Sequence, residues 1–194
     1  MAIPYFSSPT PAADLQLELN TLIAYLNGGT YGAGSVNGSA QPRLVNAGGT
    51  SAVLAADGNN STPVITEVYI SEIFVPCNML VTGVAVFNGS DVTGQIKVGL
   101  GSSTGAVLAT SIATNGAGID AYQLVPFTAT YSALGPQRYY ILTMYSSGTA
   151  RYNTFAVGKH GVAVQTTQVF ATGFTAFTPP TTFTTVVGNI CGLY

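Results

Sequence analysis

Residues 95–100 read Gln-Ile-Lys-Val-Gly-Leu, so large apolar side chains alternate with polar or small ones. Residues 139–145 read Tyr-Tyr-Ile-Leu-Thr-Met-Tyr, and nearly every position is large and apolar. Successive side chains of a strand point to opposite faces, so alternation predicts a strand with one buried face. The first stretch therefore predicts a half-buried strand, and the second predicts a strand that is buried on both faces.

The pattern of short strands and turns continues on both sides of these two stretches. Clusters of Asn, Gly, Ser and Asp indicate turns at 88–91, 101–105, 115–118 and 146–148. The runs between the turns predict further strands at 64–70, 80–86, 106–113, 121–128, 152–157, 162–165 and 168–174. No helical crossover separates them, which excludes a parallel α/β sheet. The predicted fold of residues 63–194 is an all-β antiparallel sandwich of the jelly-roll type.

Residues 1–29 predict one short helix, with Pro11 at its first position and Gly28-Gly29 at its end. Its leucines recur at alternating spacings of four and three, as in the seam of a coiled coil, and they are Leu15, Leu19, Leu22 and Leu26. The helix either packs on its own domain or meets copies of itself. Leu17 and Ile23 widen the apolar face and favour the second alternative, so these leucines are the predicted oligomerisation seam.

Residues 30–62 are rich in Gly, Ala, Ser and Asn. A segment of this composition stays flexible or lies extended across a partner. We therefore predict an extended arm between the helix and the sandwich, with room for short strands at 43–45 and 51–55.

The C-terminal stretch, residues 170–194, is rich in Thr and Phe and nearly uncharged. Its phenylalanines are Phe170, Phe174, Phe177 and Phe183. Exposed together, they would promote aggregation. We therefore expect this stretch to pack on its own sandwich or on a neighbouring chain.

Charged residues make up only 6% of the chain, whereas a typical soluble domain has about 25%. Charge normally keeps soluble proteins apart. Thr, Ser, Asn and Gly supply the polar surface here instead. Such a composition suits a protein that functions inside a large assembly.

The charge distribution also excludes some partners. The five Lys and Arg residues are scattered and the net charge is −2, whereas phosphate binding needs clustered basic residues. No run reaches the roughly 18 apolar residues of a membrane helix. Residues 1–5 lack the basic and apolar regions of a secretion signal. We expect no nucleic-acid or membrane partner, and assembly in a cytoplasm.

The closest match to a catalytic motif is the G-x-S-x-G sequence at 101–105, centred on Ser103 and followed by Asp120 and His160. This motif functions where a strand turns sharply into a helix. Residues 106–110 predict another strand instead. We therefore predict no catalytic site, and no residue cluster indicates a cofactor or a metal.

Cysteine and tyrosine leave two questions open. Cys77 and Cys191 are too few for a disulfide framework, and free buried thiols are expected, although a bridge between them stays possible. The chain has 11 tyrosines, and proteins that bind sugars often stack them on exposed aromatic rings. Tyr31, Tyr131 and Tyr152 are the candidates for exposure.

The middle of the chain resembles a known group of proteins. One predicted strand contains Val81-Thr82-Gly83-Val84, the next contains Val98-Gly99-Leu100, and Gly135-Pro136 leads into the aromatic strand at 139. Over residues 64–157 this order resembles the jelly-roll domains of tailed-bacteriophage virion proteins. Such domains are found in capsid decoration (cement) proteins, head fibres and tail fibres.

The resemblance implies a scaffold, so it transfers no functional residue. It implies a homotrimer in the virion, bound to the major capsid protein or to other virion proteins. The length of 194 residues suits a capsid decoration or head-fibre protein better than a whole tail fibre. The alternatives are a tail-fibre or adaptor component, and a carbohydrate-binding module that contacts a host surface glycan.

Overall fold

The computed structural model describes residues 45–46, 58–155, 162–165, 167–181 and 189–194, all within the unit Pro42–Tyr194. The predicted helix, its leucine seam and most of the predicted arm lie outside these residues. In the described part the chain forms twelve strands: β1 (Val45–Asn46), β2 (Gly58–Ser61), β3 (Val68–Val75), β4 (Met79–Phe87), β5 (Gln95–Ser102), β6 (Val107–Thr110), β7 (Thr114–Asn115), β8 (Tyr122–Ala133), β9 (Gln137–Tyr145), β10 (Tyr152–Phe155), β11 (Val162–Gln165) and β12 (Cys191–Leu193).

The strands form two larger sheets and one small one. The four-stranded sheet has the order β1-β12-β4-β8, and the six-stranded sheet has the order β11-β3-β9-β5-β6, with β7 also paired to β5. Strands β2 and β10 pair with each other. Every pairing is antiparallel. The described chain is therefore all-β, as the sequence predicted.

The main core contains residues of both larger sheets. Val84 and Val125 come from the four-stranded sheet, and Val98, Leu100 and Ile141 come from the six-stranded sheet; all five are fully buried. Burying one such side chain contributes roughly 1.5–3 kcal/mol. Two antiparallel sheets that share one apolar core are consistent with the predicted β-sandwich.

Strand β9 is buried on both faces, which confirms the prediction for residues 139–145. Its residues on one face belong to the main core: Tyr139, Ile141 and Tyr145. Its residues on the other face belong to a second apolar cluster: Tyr140, Leu142 and Met144. The six-stranded sheet therefore has apolar partners on both sides, as near-continuous apolar strands require.

Residues 167–181, here called the strap, supply the second cluster with aromatic side chains. Phe177 is buried, and Phe170 and Phe174 pack against the cluster. A Cβ atom at Gly101 would lie 2.5 Å from Cζ of Phe177, so only glycine leaves space for this ring. The Lys97 Nζ donates to the Phe170 carbonyl over 2.7 Å and lies 4.8 Å from the centre of its ring. The expectation that the C-terminal stretch packs on its own domain is confirmed for these residues; Phe183 lies outside the described part.

The strand predicted at 168–174 is wrong. The Val169 carbonyl accepts hydrogen bonds from the amides of Thr172 and Gly173, each over 3.1 Å. Gly173 has φ of 79°, which glycine adopts without strain. A turn therefore replaces the strand and points the strap's phenylalanines at the sheet.

Other predicted strands are present with shifted ends. The strand predicted at 64–70 is β3, and the strand predicted at 121–128 is β8, which runs on to Ala133. Three short strands were not predicted, namely β2, β7 and β12. Strand β12 lies inside the four-stranded sheet, between β1 and β4.

Candidate functional site

The outward face of the four-stranded sheet is the candidate site. Its strands β1, β4, β8 and β12 contain no Asp, Glu, Lys or Arg. Residues directly opposite each other on paired strands share a face. Because Val84 and Val125 point into the core, the next pair, Ala85 and Leu124, points outward, as does the pair Phe87 and Tyr122.

Large apolar side chains are exposed on this face, here called the uncharged face. Leu80 is 58% exposed, Leu124 is 50% exposed and Tyr122 is 38% exposed. The remaining exposed side chains of the row along β8 are short or cyclic: Pro126, Thr128, Thr130 and Ser132. Leu124 and Tyr122 are neighbours in this row, whereas Leu80 lies opposite Ser132 at the other end of β8. Exposed apolar residues that adjoin one another, as Leu124 and Tyr122 do, indicate a contact surface.

Tyr122 is the partly exposed aromatic side chain of this face. Its ring lies 4.9 Å from that of Phe87, centre to centre. Burial raises the pKa of Tyr122 to about 12, because the phenolate would lose its hydration. The side chain is therefore a neutral aromatic surface near pH 7.

The free edge of β8 is a poor site for strand addition. The Asn88 amide donates to the Ala121 carbonyl over 3.0 Å, so Asn88 and Ala121 form a hydrogen-bonded pair of the ladder. Hydrogen-bonded and non-hydrogen-bonded pairs alternate along antiparallel strands, so the backbone N–H and C=O groups of Leu124 and Pro126 point away from β4. Pro126 has no N–H, and edge prolines discourage pairing with another strand. Addition of a strand along this edge is therefore disfavoured.

A buried polar network holds one end of the face in place. The Asn88 Nδ2 donates to Gln123 Oε1 over 2.9 Å and to the Ala117 carbonyl over 2.7 Å. The Gln123 Nε2 donates to the Asn115 carbonyl over 2.7 Å, and the Asn153 Nδ2 donates to the Asn88 carbonyl over 2.9 Å. Satisfied networks of this kind fix strand positions, so the end of the face at Tyr122 is preorganised.

The predicted tyrosine candidates do not form a sugar platform in the described residues. Tyr152 was expected to be exposed, and this is wrong, because only 1% of it is exposed. Its ring stacks on Tyr145 at 5.4 Å and contacts Tyr69 at 5.3 Å. Tyr131 is half-buried, with its ring 6.4 Å from a core tyrosine, and Tyr31 lies outside the described part.

The G-x-S-x-G sequence lies in the turn between β5 and β6, and no helix follows it. The Ser102 Oγ accepts the amides of Thr104 and Ala106 over 3.2 and 3.0 Å, which makes it part of the turn. Asp120 belongs to the loop after β7, and β7 pairs with the other end of β5. The structure therefore separates Asp120 from Ser103; His160 lies outside the described residues.

Neither cysteine is in a disulfide bond. Cys191 is buried, as predicted, and burial raises the pKa of its thiol to about 12, although a hydrogen bond with Ser71 lowers it in part. Cys77 is only half-buried, which corrects the expectation that both thiols are buried. Cys77 lies in the short connection between β3 and β4.

In the described part of the chain, no three His, Cys, Asp or Glu residues are placed to share a metal ion. A cleft lined by Asn88, Asp91 and Arg151 encloses about 10 Å³, room for about one water molecule. Among the same residues there is no helix with the length and apolarity to span a membrane.

Comparisons with protein-family models, with curated proteins and with solved structures found no match to this chain.

Proposed function

We propose that the chain is a non-enzymatic structural protein of a tailed-bacteriophage virion, a capsid decoration (cement) or head-fibre protein that stabilises the capsid lattice. The observation that carries the proposal is the uncharged face. We further propose that the strands follow the jelly-roll connection and that a short N-terminal helix and an extended arm precede them. The protein would assemble in the host cytoplasm and remain in the virion.

The uncharged face is proposed to meet further copies of this chain around a three-fold axis. Identical side chains approach one another at a symmetry axis. Like charges brought together there would repel and would lose hydration. Four strands without a charged residue avoid both costs. The leucines Leu15, Leu19, Leu22 and Leu26 are proposed to contribute a second contact between the copies.

The strap supports a mechanical role. It covers the other side of the six-stranded sheet with Phe170, Phe174 and Phe177, so both sides of that sheet are packed. A subunit stiffened in this way resists deformation, because close-packed interiors have low compressibility. Many such subunits bound across neighbouring capsid proteins would oppose the pressure of packaged DNA.

The proposal is tested on particles of the phage whose genome encodes the chain. Mass spectrometry of purified particles is expected to find the chain at a fixed copy number. Gold-labelled antibody is expected on the heads, and deletion of the gene is expected to leave heads that release DNA at lower temperature. Label confined to the tail would instead assign the chain to a tail-fibre or adaptor component. Absence of the chain from particles, with the protein present in the lysate, would contradict a virion role.

A further inference from the structure

We infer that the main core contains a binding site for one water molecule, built on the side-chain amide of Asn189. Asn189 lies just before β12 of the four-stranded sheet, and its amide contacts Thr143 and Tyr145 of β9 in the six-stranded sheet. The bound water completes this polar contact between the two sheets. The inference concerns the interior of one subunit, so it does not depend on the proposed virion role.

The amide of Asn189 is buried and only half of it is hydrogen-bonded. Asn189 is 1% exposed. Its Nδ2 donates to Thr143 Oγ1 over 3.0 Å and to Tyr145 Oη over 2.8 Å, which uses both of its hydrogens. Its Oδ1 accepts no hydrogen bond, and no other buried side-chain nitrogen or oxygen of the described residues lacks a partner. Buried polar atoms are rarely left in this state, because the loss of hydration is then uncompensated.

The two neighbouring hydroxyls supply the remaining hydrogen bonds of the site. Thr143 and Tyr145 are both buried. Each hydroxyl accepts one hydrogen from Asn189 and keeps its own hydrogen to donate. Because Oδ1 and Nδ2 are bonded to the same carbon, the amide oxygen lies close to both hydroxyls. A water molecule between them can donate to Oδ1 and accept from a hydroxyl, and buried waters typically make about three such bonds.

The charge and the burial of the site select water among small ligands. Burial raises the pKa of Tyr145 well above its ordinary value, so the hydroxyl stays protonated near pH 7. The neighbours that influence this pKa are also uncharged near pH 7: Tyr69, Tyr152, Cys191 and Asn189. A buried ion without a countercharge is costly, and hard metal ions are held by carboxylates. The ligand that fits is uncharged, both donates and accepts, and has a single heavy atom.

The backbone around the site is fixed, so Asn189 cannot turn to another partner. The Ile190 amide donates to the Asn153 carbonyl over 3.0 Å, and Asn189 pairs with Thr154 in an antiparallel bridge. The Asn153 side chain in turn donates to the Asn88 carbonyl over 2.9 Å. Moving Asn189 would break these bonds. Its amide oxygen therefore depends on the bound water.

A high-resolution crystal structure of the wild-type protein tests the site directly. We expect one water at about 3 Å from Asn189 Oδ1 and at a similar distance from Thr143 Oγ1 or Tyr145 Oη. A dry site, or a protein donor bonded to Oδ1 in place of the water, would overturn the inference. This result needs no variant, so it holds whether or not a substitution at Asn189 allows folding.

Oxygen-17 relaxation dispersion tests the same site in solution, because it counts waters that stay bound for longer than the protein tumbles. The full-length wild type is compared with Asn189→Leu, which removes the amide and fills its volume. The matched control is Asn115→Leu, because the Asn115 amide is exposed and contacts Gln95 outside the core. We expect Asn189→Leu to lose one long-lived water and the control to lose none. Equal counts for the wild type and a folded Asn189→Leu variant would show that no water is held there.

Discussion

Replacing Phe177 with alanine should release the strap from the six-stranded sheet. Phe177 is 5% exposed, and its ring meets that of Tyr140 edge-on, with centres 5.6 Å apart and planes at 86°. Its amide also donates to the Gly105 carbonyl over 2.9 Å. Core Phe→Ala changes cost about 3–5 kcal/mol, of which an edge-on aromatic pair supplies roughly 0.5–1.5 kcal/mol. We expect about 3 kcal/mol here, because a strap at the surface can partly close the cavity.

The assay is equilibrium urea unfolding of the full chain, followed by circular dichroism and tyrosine fluorescence. The matched control is Phe74→Ala, because Phe74 is 60% exposed and the same atoms are removed. The control should change the free energy of unfolding by no more than about 0.5 kcal/mol. A loss below about 1 kcal/mol for Phe177→Ala would show that the strap does not pack as described.

A double-mutant cycle tests the same contact from the other side. Gly101→Ala should cost about 1–3 kcal/mol in the wild type, because the added Cβ would lie 2.5 Å from Cζ of Phe177. In the Phe177→Ala background the ring is gone and the same change should be nearly neutral. Additive losses in the cycle would argue against direct contact.

Three further predictions follow from burial and charge. At pH 8, the Cys77 thiol should react quickly with a disulfide reagent, whereas the Cys191 thiol should react only in denaturant. The reason is that burial raises the pKa of Cys191 to about 12. Fast reaction of both thiols would contradict this prediction. Burial also raises the pKa of Tyr145 and Tyr152 above the ordinary value of 10.0. Their neutral side chains therefore contribute fully to the free energy of unfolding below pH 10, and this contribution is lost as the pH rises above that value. The free energy of unfolding should therefore fall above about pH 10, by up to about 1.4 kcal/mol per pH unit for each tyrosine, and a flat profile to about pH 11.5 would refute it. Self-association should change little between about 50 and 500 mM salt, and a steep salt dependence would indicate ion pairs in the contact.

Strands with a long, clear pattern were predictable from sequence, and short or distant pairings were not. Residues 139–145 form a two-faced buried strand because both alternate sets are apolar, and this depends on local sequence alone. Strand β12 has three residues, too few for a period to show, and it pairs with strands far away in sequence. Residues 168–174 of the strap include the β-branched and aromatic residues typical of a strand, but the turn at Gly173 overrides that propensity.

The sequence predicted that the chain has an assembly surface, but it did not predict where on the fold that surface lies. The low content of charged residues indicated an assembly surface, but only the pairing of β4 with β8 shows that uncharged strands adjoin in one sheet. Tyr152 was a candidate for exposure and is buried instead. Its burial depends on Tyr69 and Tyr145, which are distant in sequence and meet it only in the fold.

The solution mass of the full-length protein by light scattering tests the uncharged face most directly. We expect a trimer of about 60 kDa for the wild type, three times the 19.9 kDa of one chain. Leu124→Asp should give a folded monomer of 19.9 kDa, because it would place like charges together at the three-fold axis. Ile112→Asp, at a site that is 68% exposed and lies on no strand of the uncharged face, should leave the trimer intact. A wild-type monomer, or a Leu124→Asp variant that keeps the trimer mass, would contradict the assignment of this face to assembly.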